Sequence, residues 1–366
     1  MIDTLFRQMW YDGTTPGLTG LRLLLTPFSL IYGLSIALRN KRFDRGLARS
    51  VRLPGKVISI GNLSVGGTGK TPMVIGLARM LRDRGYRPAV LSRGYGGTSK
   101  HPVNIVSMGT QLLMNHREAG DEPVLIAKSV TDVPVLTGPR RDLTGERALQ
   151  DLKADVLILD DGFQHRQIYR DIDIVLLDGT NPYGNGHLLP GGPLREPLCA
   201  LKRADILIAT GAVEKVAACR PIRLPDGIHA PLFRCCYQPG NLLEGAAEKA
   251  LPPDFIKGKR VLAFAGIGNP SAFEKTLTAL GATVAMLIPF PDHHRYLEAD
   301  FDRITAKARQ CGANMIITTE KDKIKLDGHE AFLRNVYTLR VDMAFLSGRD
   351  DFEKLILAEL GKSHAG

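Results

Sequence analysis

Cysteine is scarce in this chain. Five occur among 366 residues, Cys199, Cys219, Cys235, Cys236 and Cys311. The number is odd, no two form a CxxC pair, and the adjacent Cys235 and Cys236 are poorly placed to ligate one metal together. Neither a disulfide framework nor a zinc site is expected, and the pattern suits a reducing compartment. There is one tryptophan and no recognised nucleic-acid module, so base-stacking platforms are not evident and no nucleic-acid partner is expected. The Asn-Lys-x-Asp guanine signature is missing, which disfavours GTP. No low-complexity tract appears. The longest apolar stretch, residues 23–38, is shorter than the ~20 residues needed to cross a bilayer, and Pro27 interrupts it. A cleavable signal peptide is not expected, because no small-residue cleavage site precedes the cationic stretch that follows.

What is present is an ordinary globular composition, 44% hydrophobic and 23% charged, at a length that suggests two domains. The net charge of +10 is unevenly spread. Arg39, Lys41, Arg42, Arg45, Arg49, Arg52 and Lys56 face a single Asp44. Such a block is either a solvated face or a site for an anionic partner, whether nucleic acid, anionic lipid or a phosphorylated substrate. An apolar helix beside a basic segment has the composition of an interfacial element, in which each charge adds roughly 1 kcal/mol on an anionic leaflet. The alternative is a buried helix packed on the catalytic domain.

Val57–Ile60 reads as a buried strand. It leads into Ser64, Val65, Gly66, Gly67, Thr68, Gly69, Lys70 and Thr71, and then into a helix opened by Pro72. Strand, glycine loop, Lys-Thr and helix are the context of a Walker A loop. Glycines let successive backbone N–H groups turn toward phosphate oxygens, and the helix N-terminus adds its dipole. Lys70 is expected to reach the β- and γ-phosphates of a nucleotide and Thr71 to ligate Mg2+. One departure stands out: the usual first glycine is Ser64.

Further along, Asp155-Val-Leu-Ile-Leu-Asp-Asp161 has the Walker B pattern, a carboxylate at the end of a buried strand. Adjacent acids on an extended chain point to opposite sides, so one of Asp160 and Asp161 is expected on the metal and the other beside Lys70 or a water. Asp121 precedes an apolar helix and is either its cap or a catalytic carboxylate. Arg140 and Arg141 follow a short strand and suit phosphate contact or plain charged surface. Arg195, in a loop rich in proline and glycine, suits stabilisation of transferring phosphate charge. After many loop signals over residues 215–258, an α/β pattern restarts. Its Gly266-Ile-Gly-Asn269 turn is a weak dinucleotide signal that lacks the third glycine. Asp292, His293 and His294 read as metal ligands, as an Asp-His general base, or as a structural loop.

In order along the chain, Gly61–Pro72, Ser92–Gly96, Gly120–Pro123, Asp160-Asp-Gly-Phe-Gln-His165, Leu189-Pro-Gly-Gly-Pro-Leu-Arg-Glu-Pro197, Phe264–Pro270, Asp292–His294 and Thr318–Asp322 resemble the tetraacyldisaccharide 4'-kinases of lipid A biosynthesis. The resemblance implies ATP and Mg2+ as cofactors and a disaccharide 1-phosphate bearing four acyl chains as substrate, phosphorylated on its 4'-hydroxyl. It implies Asp121 as the carboxylate that activates this hydroxyl and His293 as its partner across a cleft, with His294 less suited. It also implies a place on the cytoplasmic face of a bacterial inner membrane, peripheral or monotopic, with no obligate protein partner. The expected fold is α/β: a P-loop NTPase-like parallel-sheet domain over residues 1–218, carrying the N-terminal helix, and a smaller α/β domain over 219–366 that closes on the site. The competing function is a P-loop ATPase acting as a switch or assembly factor.

Overall fold

The computed structural model describes residues 2–11, 16–212, 222–245 and 247–362. Its strands are β1 (Lys56–Asn62), β2 (Pro88–Ser92), β3 (Asn104–Ser107), β4 (Val135–Thr137), β5 (Val156–Asp160), β6 (Ile172–Asp178), β7 (Ile206–Ala212), β8 (Leu232–Glu244), β9 (Lys249–Leu251), β10 (Arg260–Ala265), β11 (Thr283–Pro289), β12 (Met315–Thr319) and β13 (Val336–Ser347). All thirteen form one sheet, in the order β11-β10-β12-β13-β8-β7-β6-β1-β5-β2-β4-β3 with β9 on β8. From β8 to β4 every pairing is parallel, and so is every pairing from β11 to β13. The two parallel sets meet at β8 and β13, which run antiparallel.

The hydrophobic runs explain the first set. Val57, Ile58, Ile60, Val156–Leu159 and Ile174–Leu177 are all buried, as strands covered by helices on both faces require. β1 lies at the centre, between β5 and β6. The loops after β1 and β5 therefore leave the same end of neighbouring strands, where open α/β sheets bind their ligands.

Two elements depart from the sequence reading. β8 and β13 make a long ribbon where β8's half was read as loop. β8 carries Pro239 and Gly240, and the ladder shifts register opposite them, between Leu339 and Val341. A proline cannot donate to a ladder, so the irregularity hides the strand from a pattern search. The second departure is the C-terminal helix Arg349–Leu360. Its Phe352, Ile356 and Leu360 join the same buried cluster as Ile58, Val74 and Ile158, so the end of the chain returns to the first half. The expected boundary at 218/219, like Cys219, lies outside the described residues.

The apolar N-terminal run is longer as a helix than its composition suggests. A helix spans Pro16–Asp44, 29 residues, with Pro27 inside it. At about 1.5 Å per residue it is long enough, and over Leu18–Asp44 apolar enough, to cross a membrane by length and composition. The hydroxyls of Thr26 and Ser29 donate to the carbonyls of Arg22 and Leu25. Leu23, Leu24, Phe28, Leu30, Ile31, Leu34 and Leu38 stand exposed on one side, Leu30 at 69%. The other side packs on the loop 185–196. Gly191 N donates to Ser29 Oγ at 2.9 Å, Tyr32 donates to the Arg195 carbonyl at 2.9 Å, and Asn40 donates to Glu196 at 2.7 Å. Glu196 is fully buried and also pairs with Arg39 and Arg203.

Gly61 fixes the approach of the two site loops. A Cβ there would lie 2.6 Å from Phe163 Cβ and 2.7 Å from Phe163 N. Backbone cannot yield as a side-chain tip does. Gly61→Ala is expected to cost at least about 1–3 kcal/mol, read as a lower midpoint in urea unfolding.

Candidate active site

The loop after β1 is shaped by two glycines at positive φ, Gly66 at 129° and Gly69 at 81°. At Gly69 a Cβ would also meet Met343 and Tyr237 within 2.9 Å, so glycine is needed there twice over. Ser64 in place of the usual first glycine has a local explanation. It forms a β-bridge with Leu194, and Val65 N donates to the Pro193 carbonyl at 2.8 Å. Extended backbone tolerates any side chain. The loop is braced from several directions. Asn62 donates to Thr68 Oγ1 at 3.0 Å, Thr210 to the Thr68 carbonyl at 2.7 Å, and Tyr11 to the Val65 carbonyl at 2.9 Å. Lys70 and Thr71 open the helix Lys70–Asp83.

The two acids after β5 differ sharply. Asp160 ends the strand, 2% exposed. Its Oδ2 accepts from Ser92 Oγ at 3.0 Å, while its Oδ1 is buried with no hydrogen-bond partner. Burial, and then the charges of Glu122 and Asp161, push its carboxyl up to about 6. Asp161 adopts φ 53° and turns the other way. Arg195 Nη1 donates to its two oxygens at 3.0 and 2.8 Å, and Lys70 Nζ lies 3.5 Å away. Burial alone would raise Asp161, but Lys70 and Arg195 outweigh it and hold the carboxyl at about 2.

Of the paired arginines, only Arg141 reaches this place. It is 4% exposed and donates to the Asp161 carbonyl at 3.2 Å. Arg140 is exposed and donates to Asp142 at 3.0 Å. His165 lies nearby, its imidazole pushed down to about 4 by burial and by Arg141 and Arg170.

Asp121 is the first residue of the helix Asp121–Ser129, with Gly120 at the cap position. The capping reading therefore falls to Gly120, although Asp121 Oδ1 does accept from Glu122 N at 3.1 Å. Asp121 is 5% exposed. His293 Nδ1 lies 3.0 and 3.1 Å from its two oxygens, across 172 positions of sequence. His293 has φ 60°, a conformation that costs a non-glycine residue energy and gathers at functional positions. Burial would raise the Asp121 carboxyl, but the bond to His293 and the charge of Lys321 hold it below the usual range. The same bond raises His293. His294 points elsewhere, with Nε2 3.0 Å from Asp300 and its ring stacked on Phe290. Among the described residues no group of three His, Cys, Asp or Glu side chains is placed to hold a metal, so Asp292, His293 and His294 do not form such a set. Asn269 caps the helix Pro270–Ala279, and Gly268 comes so close to the phosphate loop that a Cβ would lie 3.4 Å from Gly67 N.

Ser92 and Lys321 carry no functional signal of their own in the sequence. Nothing local marks them, because both act on residues distant in sequence.

A phosphate loop with its lysine, an acid pair at the neighbouring strand end and a separate carboxylate–histidine couple are the parts of a P-loop phosphotransferase that acts on a hydroxyl. Comparison with known proteins narrows this. Residues 21–361 match the family described as Tetraacyldisaccharide-1-P 4'-kinase. A tetraacyldisaccharide 4'-kinase from Syntrophus aciditrophicus is 50% identical over 96% of both chains, and one from Anaeromyxobacter dehalogenans is 42% identical over 93% of this chain and 91% of that one. The crystal structure of the "apo" form of LpxK from Aquifex aeolicus in complex with ATP has a TM-score of 0.75 at 38% identity, covering 93% of this chain and 99% of that one. The chain belongs to the tetraacyldisaccharide 4'-kinase family. The α/β fold with a P-loop NTPase-like sheet and the kinase activity expected from the sequence are both borne out.

Proposed function

We propose that the chain transfers the γ-phosphoryl group of ATP to the 4'-hydroxyl of tetraacyldisaccharide 1-phosphate at the cytoplasmic surface of the inner membrane, with Asp121 as base. The observation that carries the residue roles is the Asp121–His293 contact, which joins the two halves of the sheet beside the phosphate loop. Asp121, held ionised, takes the proton of the sugar hydroxyl. The oxygen attacks the γ-phosphorus, the bond to the β-phosphate oxygen breaks, and ADP leaves. His293 orients the carboxylate. Loop N–H groups and Lys70 neutralise the phosphates, and Arg195 and Arg141 face the developing charge. His293 already meets Asp121 at 3.0 Å, so closure of the halves 1–218 and 219–366 on each other would hold that pair against the bound sugar.

The donor set fits Mg2+. Asp160 Oδ1 is buried and accepts no hydrogen bond, and Thr71 begins the helix beside the loop. A site with few protein ligands is normal for Mg2+, which keeps water and substrate phosphates around it. Asp160 and Thr71 would hold the ion, leaving Asp161 to Lys70 and Arg195. When bound, the ion supplies charge neutralisation on the phosphate oxygens.

Transfer of labelled γ-phosphate to tetraacyldisaccharide 1-phosphate in detergent micelles tests the reaction. Label in the lipid is expected. Label released only as inorganic phosphate would instead make the chain an ATPase.

The membrane reading rests on the exposed side of the helix Pro16–Asp44 and its basic flank. A pocket of about 290 Å3 continues that surface inward, between Thr26 and Leu30 on the helix and Leu188 and Leu198 opposite. Leu30→Asp with Leu34→Asp withdraws two side chains worth about 1.5–3 kcal/mol each. Partition onto anionic vesicles is expected to fall at least about tenfold, measured by co-sedimentation. Undiminished binding would place the contact elsewhere.

A further inference from the structure

A second cluster of charge lies where the two halves meet. Asp121 and Glu122 come from the helix Asp121–Ser129, Asp292 and His293 from the loop after β11, and Lys321 from the helix Glu320–Lys325 after β12. Lys321 Nζ stands 3.0 Å from Glu122 Oε1, 3.1 Å from Asp292 Oδ1 and 3.8 Å from Asp121 Oδ2. Three carboxylates thus converge on one ammonium whose side chain is 16% exposed. Lys325, whose charge also bears on Asp121, is itself engaged by Asp322 at 2.8 Å and the Gly266 carbonyl at 3.2 Å.

The contacts form a chain. Lys321 holds Asp292 Oδ1, and the same oxygen accepts from His293 N at 3.0 Å. That bond supports the left-handed backbone of His293, whose ring then meets Asp121. On the other side Lys321 holds Glu122, the neighbour of Asp121. Without the ammonium, Asp121, Glu122 and Asp292 would repel one another across the junction. Burial would lower the ammonium, but Glu122, Asp121 and Asp292 raise it well above its usual value.

We propose that Lys321 is a positioning residue of phosphoryl transfer: it ties Glu122 to Asp292 and so sets the geometry in which His293 meets Asp121. The inference rests on Asp121 being the base. Lys321 itself touches neither nucleotide nor sugar in this role.

The test compares Lys321→Met, which keeps an apolar stem, with Lys321→Arg and Asp121→Ala, each checked for folding by thermal unfolding. Lys321→Met is expected to lower kcat about 100-fold, the scale of a misplacement near 1 Å, with KM for ATP within about threefold of the parent. The pH profile separates positioning from simple loss of fold. The groups facing Asp121 are His293, Lys321, Lys325, Glu122, Asp292 and His116. Asp121 works ionised and is held low, so losing Lys321 raises its pKa. The acid limb of kcat must then move to higher pH. Loss of folded enzyme would scale the rate equally at every pH and leave the limb in place. Lys321→Arg keeps the charge but shifts its position, so it must lower kcat while leaving the limb near that of the parent. It decides the matter if the methionine variant does not fold. An unmoved limb with Lys321→Met, or parental kcat in either Lys321 variant, overturns the proposal while the role of Asp121 stands. Parental activity in Asp121→Ala overturns the base assignment instead.

Discussion

Lys70→Ala is expected to reduce phosphoryl transfer by at least about 10²–10³-fold in kcat, the scale of removing one electrostatic donor from a transition state. Lys70 begins the helix behind the phosphate loop, and its ammonium lies 3.5 Å from Asp161. When Lys70 is lost Asp161 keeps its closer partner Arg195 at 2.8 Å, and its side chain is 37% exposed, so the loss of this pair costs little stability, about 1 kcal/mol. The variant should therefore fold and melt close to the parent. On the proposed role the loss belongs to catalysis, where the ammonium would meet charge that builds on the β- and γ-phosphates. Arginine should rescue poorly, because its planar fork does not replace a compact point charge. Single-turnover transfer from labelled ATP measures the effect without the complication of product release. A rate within about tenfold of the parent would remove Lys70 from the transition state.

Asp121→Ala is expected to lower kcat by about 10²–10⁴-fold, the usual contribution of a positioned base, with ATP affinity retained. His293→Ala should cost less, because the carboxylate remains and loses only its partner. The two should be strongly non-additive, since the histidine acts through the carboxylate: the double variant should be about as slow as Asp121→Ala alone. The pH dependence of stability has a definite sign as well. Asp121 is held below its ordinary value, so its contribution is complete above about pH 3.9 and is lost as pH falls through the depressed value. His293 is raised, so its contribution is complete below about pH 6.5 and is lost as pH rises through the raised value. In Asp121→Ala the histidine has no carboxylate to meet, and thermal scans should show the alkaline part of this dependence flattened. Additive effects on kcat would mean that the two residues work on separate steps.

The parts of the site legible in the sequence are those whose chemistry is local. The phosphate loop needs glycines, a lysine and a hydroxyl within a few residues, and Ile158 to Asp161 announce a buried strand ending in acid. The pairing of Asp121 with His293 was of another kind. From the residues alone Asp121 is more readily a helix cap than a base, and nothing local ties it to a histidine 172 positions away. The resemblance to the kinase family suggested the pair, and the contact is made by tertiary packing. Arg141 and Arg140 were indistinguishable as neighbours. Only burial of one and exposure of the other separates them. The long ribbon of β8 and β13 escaped because Pro239 and Gly240 sit inside a strand, and the full length of the N-terminal helix escaped because Pro27 sits inside it. In both cases a residue that usually ends an element sits inside one, and in the ribbon the ladder shifts register opposite it.

The ribbon has a mechanical consequence. Hinges between moving halves are commonly a few loop or element-terminal residues. Here the connection is a hydrogen-bonded ladder from Arg234 to Glu244 against Tyr337 to Ser347, continuous with both parallel sets. Rotation of one half against the other must be spread along that ladder as twist, or concentrated where its register already slips beside Pro239. Motion of this kind behaves like a torsion spring with a soft coil. If the halves turn against each other as proposed, the ladder would limit the amplitude and return them to one resting angle.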